Sequence, residues 1–313
     1  MTDRLVVVGG DAAGMSAASQ ARRLRDAGDL DIVVLEQGPD VSYSACGIPY
    51  WVGDYVADRD ALLARMPHWF AERDITVHLG TRAAAVDLDA GVVTAADGRR
   101  FPYDRLVIAT GGRPLRPPVP GLDAPNVHGV HRLADGSAIR ATLAAGARRA
   151  VVIGGGYIGL EMAEVLLERG LEVTVVLADP LPMQLLDADM GARICAAMGR
   201  MGIDVRPEEP VREIETDADG VARAVRTDAG RYAADVVVLG TGLGPEVGLV
   251  RDAGLRLGTT GAIEVDRTQR STSHPEVYAA GDCTQTFNRI TGEDTHVPLG
   301  THANKQGRVA GSV

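Results

Sequence analysis

Two unbroken apolar runs organise this chain, and each ends on a cluster of glycines. Leu5-Val6-Val7-Val8 runs into Gly9-Gly10-Asp11-Ala12-Ala13-Gly14, and Ala150-Val151-Val152-Ile153 runs into Gly154-Gly155-Gly156-Tyr157-Ile158-Gly159. Apolar strands without alternation bury both faces, as central strands of a parallel sheet do. Helical periodicity follows each loop, over about Met15 to Arg25 and over Leu160 to Arg169, where Gly170 is a stop. A second apolar strand closes each unit: Asp31 to Leu35, ending at Glu36, and Glu172 to Leu177. The pattern is βαβ, twice.

The intervening stretches repeat as well. After Glu36 the pattern predicts a helix near Asp60 to Arg73, then short strands at Thr76 to Leu79, Ala84 to Leu88 and Val92 to Ala95, with a turn at Asp97-Gly98. Leu106-Val107-Ile108-Ala109 then closes on Thr110-Gly111-Gly112. The second half predicts strands near Val211 to Ile214 and Val221 to Arg226, then Asp235-Val236-Val237-Val238-Leu239 closing on Gly240-Thr241-Gly242. The prolines of Arg113 to Gly121 exclude regular structure and set a domain boundary. The repeated order suggests a duplicated architecture.

Bulk properties narrow the function classes. A length of 313 residues suggests about two domains. No apolar run reaches the roughly 18 residues of a membrane helix, and no charged-then-apolar leader opens the chain, so a cytoplasmic location is expected. The net charge of −10 is scattered, which argues against nucleic-acid binding. Glu208, Glu209, Asp217 and Asp219 read as solvated surface, and the seven histidines show no metal spacing, so no metal is expected. Three cysteines make no disulfide framework. Cys195 and Cys283 read as small packing residues.

The glycine loops carry the first candidate chemistry. Gly9 permits a tight turn, Gly14 lets helix and strand approach, and the helix N-terminus presents N–H groups to a pyrophosphate. Glu36 stands about 20 residues beyond the loop, placed to accept hydrogen bonds from a ribose. Asp11 departs from the motif, which has glycine there. The second loop has glycine at all three motif positions, but Leu177-Ala178-Asp179 replaces the usual strand-end acid, which leaves NADH and NADPH both open. The chain looks built for two dinucleotides.

Cys46 carries the second. It lies in Ser42-Tyr43-Ser44-Ala45-Cys46-Gly47-Ile48-Pro49-Tyr50-Trp51, with no second cysteine close by. Pro49 suits a first helical turn, and a helix N-terminus lowers a thiol's pKa.

With the two loops, Ala109-Thr110-Gly111, Gly240-Thr241-Gly242, Ala279-Ala280-Gly281-Asp282 and the Cys46 segment in this order, the chain resembles the flavin-dependent pyridine nucleotide–disulfide oxidoreductases. Within them it is most similar to coenzyme A-disulfide reductase and the single-cysteine NADH oxidases. The resemblance implies two Rossmann-like domains, with the NAD(P)H domain (113–244) inserted in a split FAD domain (1–112 and 245–313). It implies FAD contacts from Gly9, Gly10, Ala13, Gly14, Glu36, Gln37, Thr110, Gly111, Asp282, Pro298 and Leu299. NAD(P)H falls to Gly154, Gly156, Tyr157, Ile158, Gly159, Glu161 and Gly242. Tyr157 would cover the flavin and Glu161 would approach the nicotinamide, while Asp282 would sit at a strand-to-helix turn.

The same resemblance makes Cys46 the catalytic thiol, cycling between thiolate and an oxidised sulfur at the flavin's expense. Ala12 replaces the histidine of the peroxidases, which favours coenzyme A disulfide over peroxide. Ser16, Gln20, Arg23, Ser42 and Arg73 match the coenzyme A surface, with Arg23 and Arg73 meeting phosphates. Arg22 and Arg25 read as solvated. Ala45, where the family has asparagine, weakens the coenzyme A assignment. The family's C-terminal dimerisation domain has no counterpart here, so a homodimer is expected only of a full-length form. Oxygen as acceptor, a ferredoxin-like partner and an inactive nucleotide-binding fragment stay open as alternatives.

Overall fold

The computed structural model describes residues 2–312 and resolves into two compact units. The first comprises Met1–Ser44, Leu63–Arg113 and Gly244–Val313, and the second Ala45–Leu62 and Pro114–Leu243.

The first unit is built on β1 (Asp3–Val8), α1 (Ala12–Leu24) and β2 (Leu30–Leu35). Its five-stranded parallel sheet runs in the order Val277–Ala279, Arg105–Ile108, β1, β2, Ile75–His78. Val7, Val34 and Val107 are fully buried between the layers, each contributing about 1.5–3 kcal/mol against exposure. The helix Gly300–Ala310 lies on α1 through two glycines: a Cβ on Gly307 or on Gly311 would stand 2.2 Å from the carbonyl oxygen of Ala13 or of Ala17. An antiparallel meander, Ala83–Asp87, Val92–Ala95 and Arg100–Pro102, completes the unit.

The second unit repeats this plan. Its parallel sheet runs Val127–His128, Val236–Leu239, Arg149–Ile153, Glu172–Val176, Asp204–Arg206, the same order of counterparts. It too has a three-stranded antiparallel meander, Glu213–Thr216, Ala222–Arg226 and Arg231–Ala233. The α/β class and the duplicated plan follow from the all-apolar runs.

Three local features differ from expectation. No continuous helix spans 60–73: a 3₁₀ turn, Arg59–Leu62, and a short helix, Pro67–Ala71, replace it. Pro67 forces the residue before it out of the helical region, and Met66 is extended at φ −86°, ψ 158°. No helix follows Asp282, which lies in a turn closed by the Thr284 N–H on the Gly281 carbonyl at 3.0 Å. Finally, residues 45–62, expected within the first domain, cluster with the second unit. The excursion leaves and returns beside a bridge between Tyr43 and Leu63. It carries α2 (Ile48–Val52), whose Ile48 and Trp51 lie so close to the helix Leu133–Ala144 that a Cβ on Gly136 would meet both at 2.9 Å.

Candidate functional site

In the first unit, the expected flavin residues converge on the carboxyl ends of four adjacent parallel strands, where ligands of open α/β sheets bind. Gly9 follows β1 at φ +114°, and a Cβ there would stand 2.0 Å from the Ala109 carbonyl oxygen. A Cβ on Gly14 would stand 1.9 Å from the Gly9 oxygen. No other residue fits either place. Glu36 follows β2 and accepts the N–H of Gly10 at 2.7 Å and of Gly38 at 2.6 Å, which fixes its carboxylate beside the loop. Gln37 is exposed next to it.

Thr110 and Gly111 turn beside the same loop: Thr110 Oγ1 donates to the Glu246 carbonyl at 2.6 Å, and Gly111 takes φ +72°. Gly281 N–H donates to Gln306 Oε1 at 2.8 Å, which ties the Asp282 turn to the helix Gly300–Ala310. Pro298 and Leu299 lead into that helix. Ala13 is buried in the first turn of α1.

Asp11 is the N-cap residue of α1 yet makes no side-chain capping bond. Its Oδ1 instead accepts the Tyr43 N–H at 3.2 Å. With the Ala12 N–H turned to the Asp11 carboxyl, the next N–H groups of the turn, at Ala13 and Gly14, remain available to an anionic ligand. Burial pushes the Asp11 carboxyl up to about 7, with Glu36 and Asp282 adding to the rise against hydrogen bonds from Tyr43 and Ala12. Loop, strand-end acid and open helix start fit a dinucleotide.

The second loop has the same geometry. Gly154 takes φ +106°, and a Cβ on it would stand 2.4 Å from the Gly240 oxygen; on Gly159 it would stand 2.2 Å from the Gly154 oxygen. At Gly156, where the first loop has Asp11, a Cβ would meet nothing within 4 Å. That open space is what close approach of a pyrophosphate needs. Tyr157 begins the helix Tyr157–Glu168 and is exposed; Ile158 beside it is half-buried. Glu161, one turn on, has its carboxyl raised by burial and then by Glu164. Gly242, at φ +90°, accepts the Leu115 N–H at 2.9 Å. Leu177 is buried, whereas Ala178 and Asp179 are exposed.

Cys46 occupies a 3₁₀ turn, Ala45–Gly47, immediately before α2, with Pro49 in the helix's first turn. It is exposed and in no disulfide. Cys283 is buried, and burial pushes its thiol up to about 11. Cys195, expected in a buried place, is half-buried. Among the described residues no group of three or more His, Cys, Asp or Glu could hold a metal ion. No helix of the described residues is long and apolar enough to cross a membrane.

The expected substrate residues divide. Arg23 and Arg73 line one surface cavity of about 280 Å³ with Ser19, Arg22, Trp69 and Ile75. Gln20 lies beside Arg23, 3.4 Å from its guanidinium. Ser16 and Ser42 do not line that cavity. Ser16 Oγ donates to Asn304 at 2.9 Å, and Ser42, at φ +51°, donates its N–H to the Gly10 carbonyl.

Arg22 and Arg25 are half-buried, and each is engaged rather than freely solvated. Arg22 donates to the Arg25, Leu30 and Asp74 carbonyls, tying the end of α1 to β2. Arg25 pairs with Asp3 at 2.9 Å. Trp69 was not foreseen. Its ring faces Arg73 at 3.8 Å and Arg65 at 5.3 Å. An aromatic four residues before an arginine was the available signal, hidden by the expectation of one long helix. Glu209, read as solvated, accepts the hydroxyls of Thr227 at 2.7 Å and Tyr232 at 2.6 Å.

Comparison with known proteins gives the chain's family. The pyridine nucleotide-disulphide oxidoreductase family matches residues 3–307. An NAD(P)H sulfur oxidoreductase (CoA-dependent) of Pyrococcus abyssi is 38% identical, over 98% of this chain and 68% of its own length. An NADH oxidase of Methanocaldococcus jannaschii is 35% identical, over 98% of this chain and 69% of its own. The solved NAD-dependent persulfide reductase from A. fulgidus superposes with a TM-score of 0.94 at 38% identity, covering 98% of this chain and 58% of that one. The chain thus spans about two thirds or less of the length of these proteins. On the family match and these identities, the chain belongs to the pyridine nucleotide-disulphide oxidoreductase family.

Proposed function

We propose that this chain is an FAD-dependent NAD(P)H oxidoreductase that reduces a small disulfide, coenzyme A disulfide, through Cys46. The observation that carries the reading is the cavity lined by Arg23, Arg73 and Trp69, with the Arg73 guanidinium over the indole ring. Guanidiniums meet phosphates bidentately, and an indole offers a stacking face to a nucleotide base. A relative named as a CoA-dependent sulfur oxidoreductase supports the same ligand class.

In this reading the first unit holds FAD and the second holds NAD(P)H. When bound, NAD(P)H supplies a hydride and FAD passes its two electrons on to sulfur. The chain's own residues bind and orient. The first-turn N–H groups of α1 and of the helix Tyr157–Glu168 take the two pyrophosphates. Glu36 accepts from a ribose, and Arg23 and Arg73 hold the phosphates of the substrate. The Cys46 thiolate attacks one sulfur of the disulfide: the old S–S bond breaks, one substrate thiolate leaves, and Cys46 is left in a mixed disulfide. Two electrons then return Cys46 to thiolate and release the second thiolate. A cytoplasmic setting keeps such thiols reduced.

Turnover of coenzyme A disulfide under anaerobic conditions, with NADH or NADPH, tests the reading. Loss of that turnover in Cys46→Ser is expected, and its retention contradicts the assignment. A second acceptor, oxygen, is favoured by the relative named as an NADH oxidase. Water or peroxide formed per NADH consumed in air separates the two.

A further inference from the structure

The excursion that carries Cys46 is held at one carboxylate. Asp54 lies two residues beyond α2, at φ +65°. Its Oδ1 accepts Arg140 Nη1 at 2.5 Å, and its Oδ2 accepts Arg169 Nη1. The two arginines come from different places in the second unit: Arg140 from the helix Leu133–Ala144, and Arg169 from the C-cap of Tyr157–Glu168. Each also caps the carboxyl end of α2. Arg140 Nη1 donates to the Trp51 carbonyl at 2.5 Å, and Arg169 Nη1 to the Val52 carbonyl at 3.1 Å. The last carbonyls of a helix have no partner of their own, and cations suit that end. Beside the clamp, the Tyr55 hydroxyl bonds Glu168, and the Arg140 guanidinium lies 5.4 Å from the Trp51 ring centre.

We propose that Asp54 is a positioning residue for Cys46: it draws Arg140 and Arg169 together over the end of α2 and so sets where the thiol stands. This rests on the reading of Cys46 as the redox thiol. Three features of the clamp fit positioning better than simple stabilisation. Asp54 is half-exposed, with its side chain 52% accessible, and exposed ion pairs contribute little to stability. The two guanidiniums repel each other unless one carboxylate lies between them, so a single group decides whether both caps can form. And α2 has only five residues, too short to hold its own direction without its caps. The two arginines hold the Asp54 carboxyl below the ordinary range, Arg140 most strongly, so the clamp is charged at working pH.

Asp54→Gly is the cleanest test, because glycine adopts a positive φ without strain while the carboxylate is removed. Asp54→Asn keeps the shape and also tolerates that backbone; it reads the same quantities should the glycine variant not fold. The FAD-loaded full chain is assayed for kcat and KM with coenzyme A disulfide. The pH profile of iodoacetamide alkylation at Cys46 is followed by peptide mapping, which separates it from Cys195. The expected result is an unchanged melting temperature and flavin content, an unchanged KM, a kcat lower by about 10- to 100-fold, and a displaced alkylation profile. A folded variant with the wild-type kcat and alkylation profile overturns the proposal. The parent reading fails separately: full turnover by Cys46→Ser removes the redox role, while the alkylation profile still reports whether Asp54 places the thiol.

Discussion

The guanidinium of Arg73 lies 3.8 Å from the centre of the Trp69 ring, at the wall of the cavity that Arg23 also lines. Three arginines, Arg22 among them, and an aromatic face in one concavity suit a phosphorylated nucleotide better than a simple dithiol. Trp69→Ala and Arg73→Ala should therefore each raise KM for coenzyme A disulfide about 10-fold, with kcat little changed. A small aromatic disulfide without a nucleotide should show no such change. Comparing the KM ratios of the two substrates decides it; equal losses for both would remove this cavity from substrate binding.

The glycine loops make a prediction about which cofactor is lost. At Gly9 and Gly154 an added Cβ would meet backbone at 2.0 Å and 2.4 Å, at positive φ in both cases. Gly154→Ala should abolish NAD(P)H binding while the yellow flavin chromophore is retained. Gly9→Ala should release FAD. Absorbance of the purified proteins and nucleotide titration read the two losses, which should not interchange.

Asp11 sets a pH dependence. Burial raises its carboxyl to about 7 in the folded chain, from an ordinary value of 3.8. The folded state therefore binds a proton that the unfolded chain releases between these values. The stability it contributes is full below about pH 4 and is lost as pH rises through 7. Asp11→Asn should flatten this decline, so that its melting temperature exceeds the wild type's by a few degrees at pH 8 and by less at pH 5. Thermal unfolding at the two values measures it; an identical slope in both proteins would contradict it.

The turn after the strand Glu172–Val176 bears on the choice of nicotinamide. Leu177 is buried, Asp179 is exposed, and residues 177–184 contain no lysine or arginine. A 2′-phosphate needs a cation there. NADH should therefore exceed NADPH in kcat/KM by at least about 10-fold, and Ala178→Arg should narrow the gap. A wild-type preference for NADPH would show that a cation reaches the site from elsewhere.

Much of this was legible in residue order, for a physical reason. Gly14 and Gly159 are demanded by the carbonyls of Gly9 and Gly154 in their own loops, so local pattern reveals them, whereas Gly9 and Gly154 abut the distant carbonyls of Ala109 and Gly240 and were legible only through the glycine motif. The two parallel sheets follow from apolar runs that only burial on both faces explains. Long-range partners were not legible. Nothing near residue 50 announces that Gly136, Arg140 and Arg169 will receive the Cys46 segment. The helix expected over 60–73 hid Trp69, because Pro67 holds Met66 extended and breaks that helix in two. Asp282 resembled a helix cap but lies in a turn that the Thr284 N–H closes on the Gly281 carbonyl, and the Gly281 N–H is taken by a glutamine side chain on a distant helix.

The central claim is that electrons leave through the sulfur of Cys46. The most direct measurement is an anaerobic count of thiols after the chain has been treated with coenzyme A disulfide and then with excess NADH. Once unreacted disulfide has been removed, NADH addition should free one reactive thiol at Cys46 of the wild type and release a second equivalent of coenzyme A beyond the one lost on forming the mixed disulfide, and Cys46→Ser should do neither. Equal release of coenzyme A by the serine variant would contradict the account.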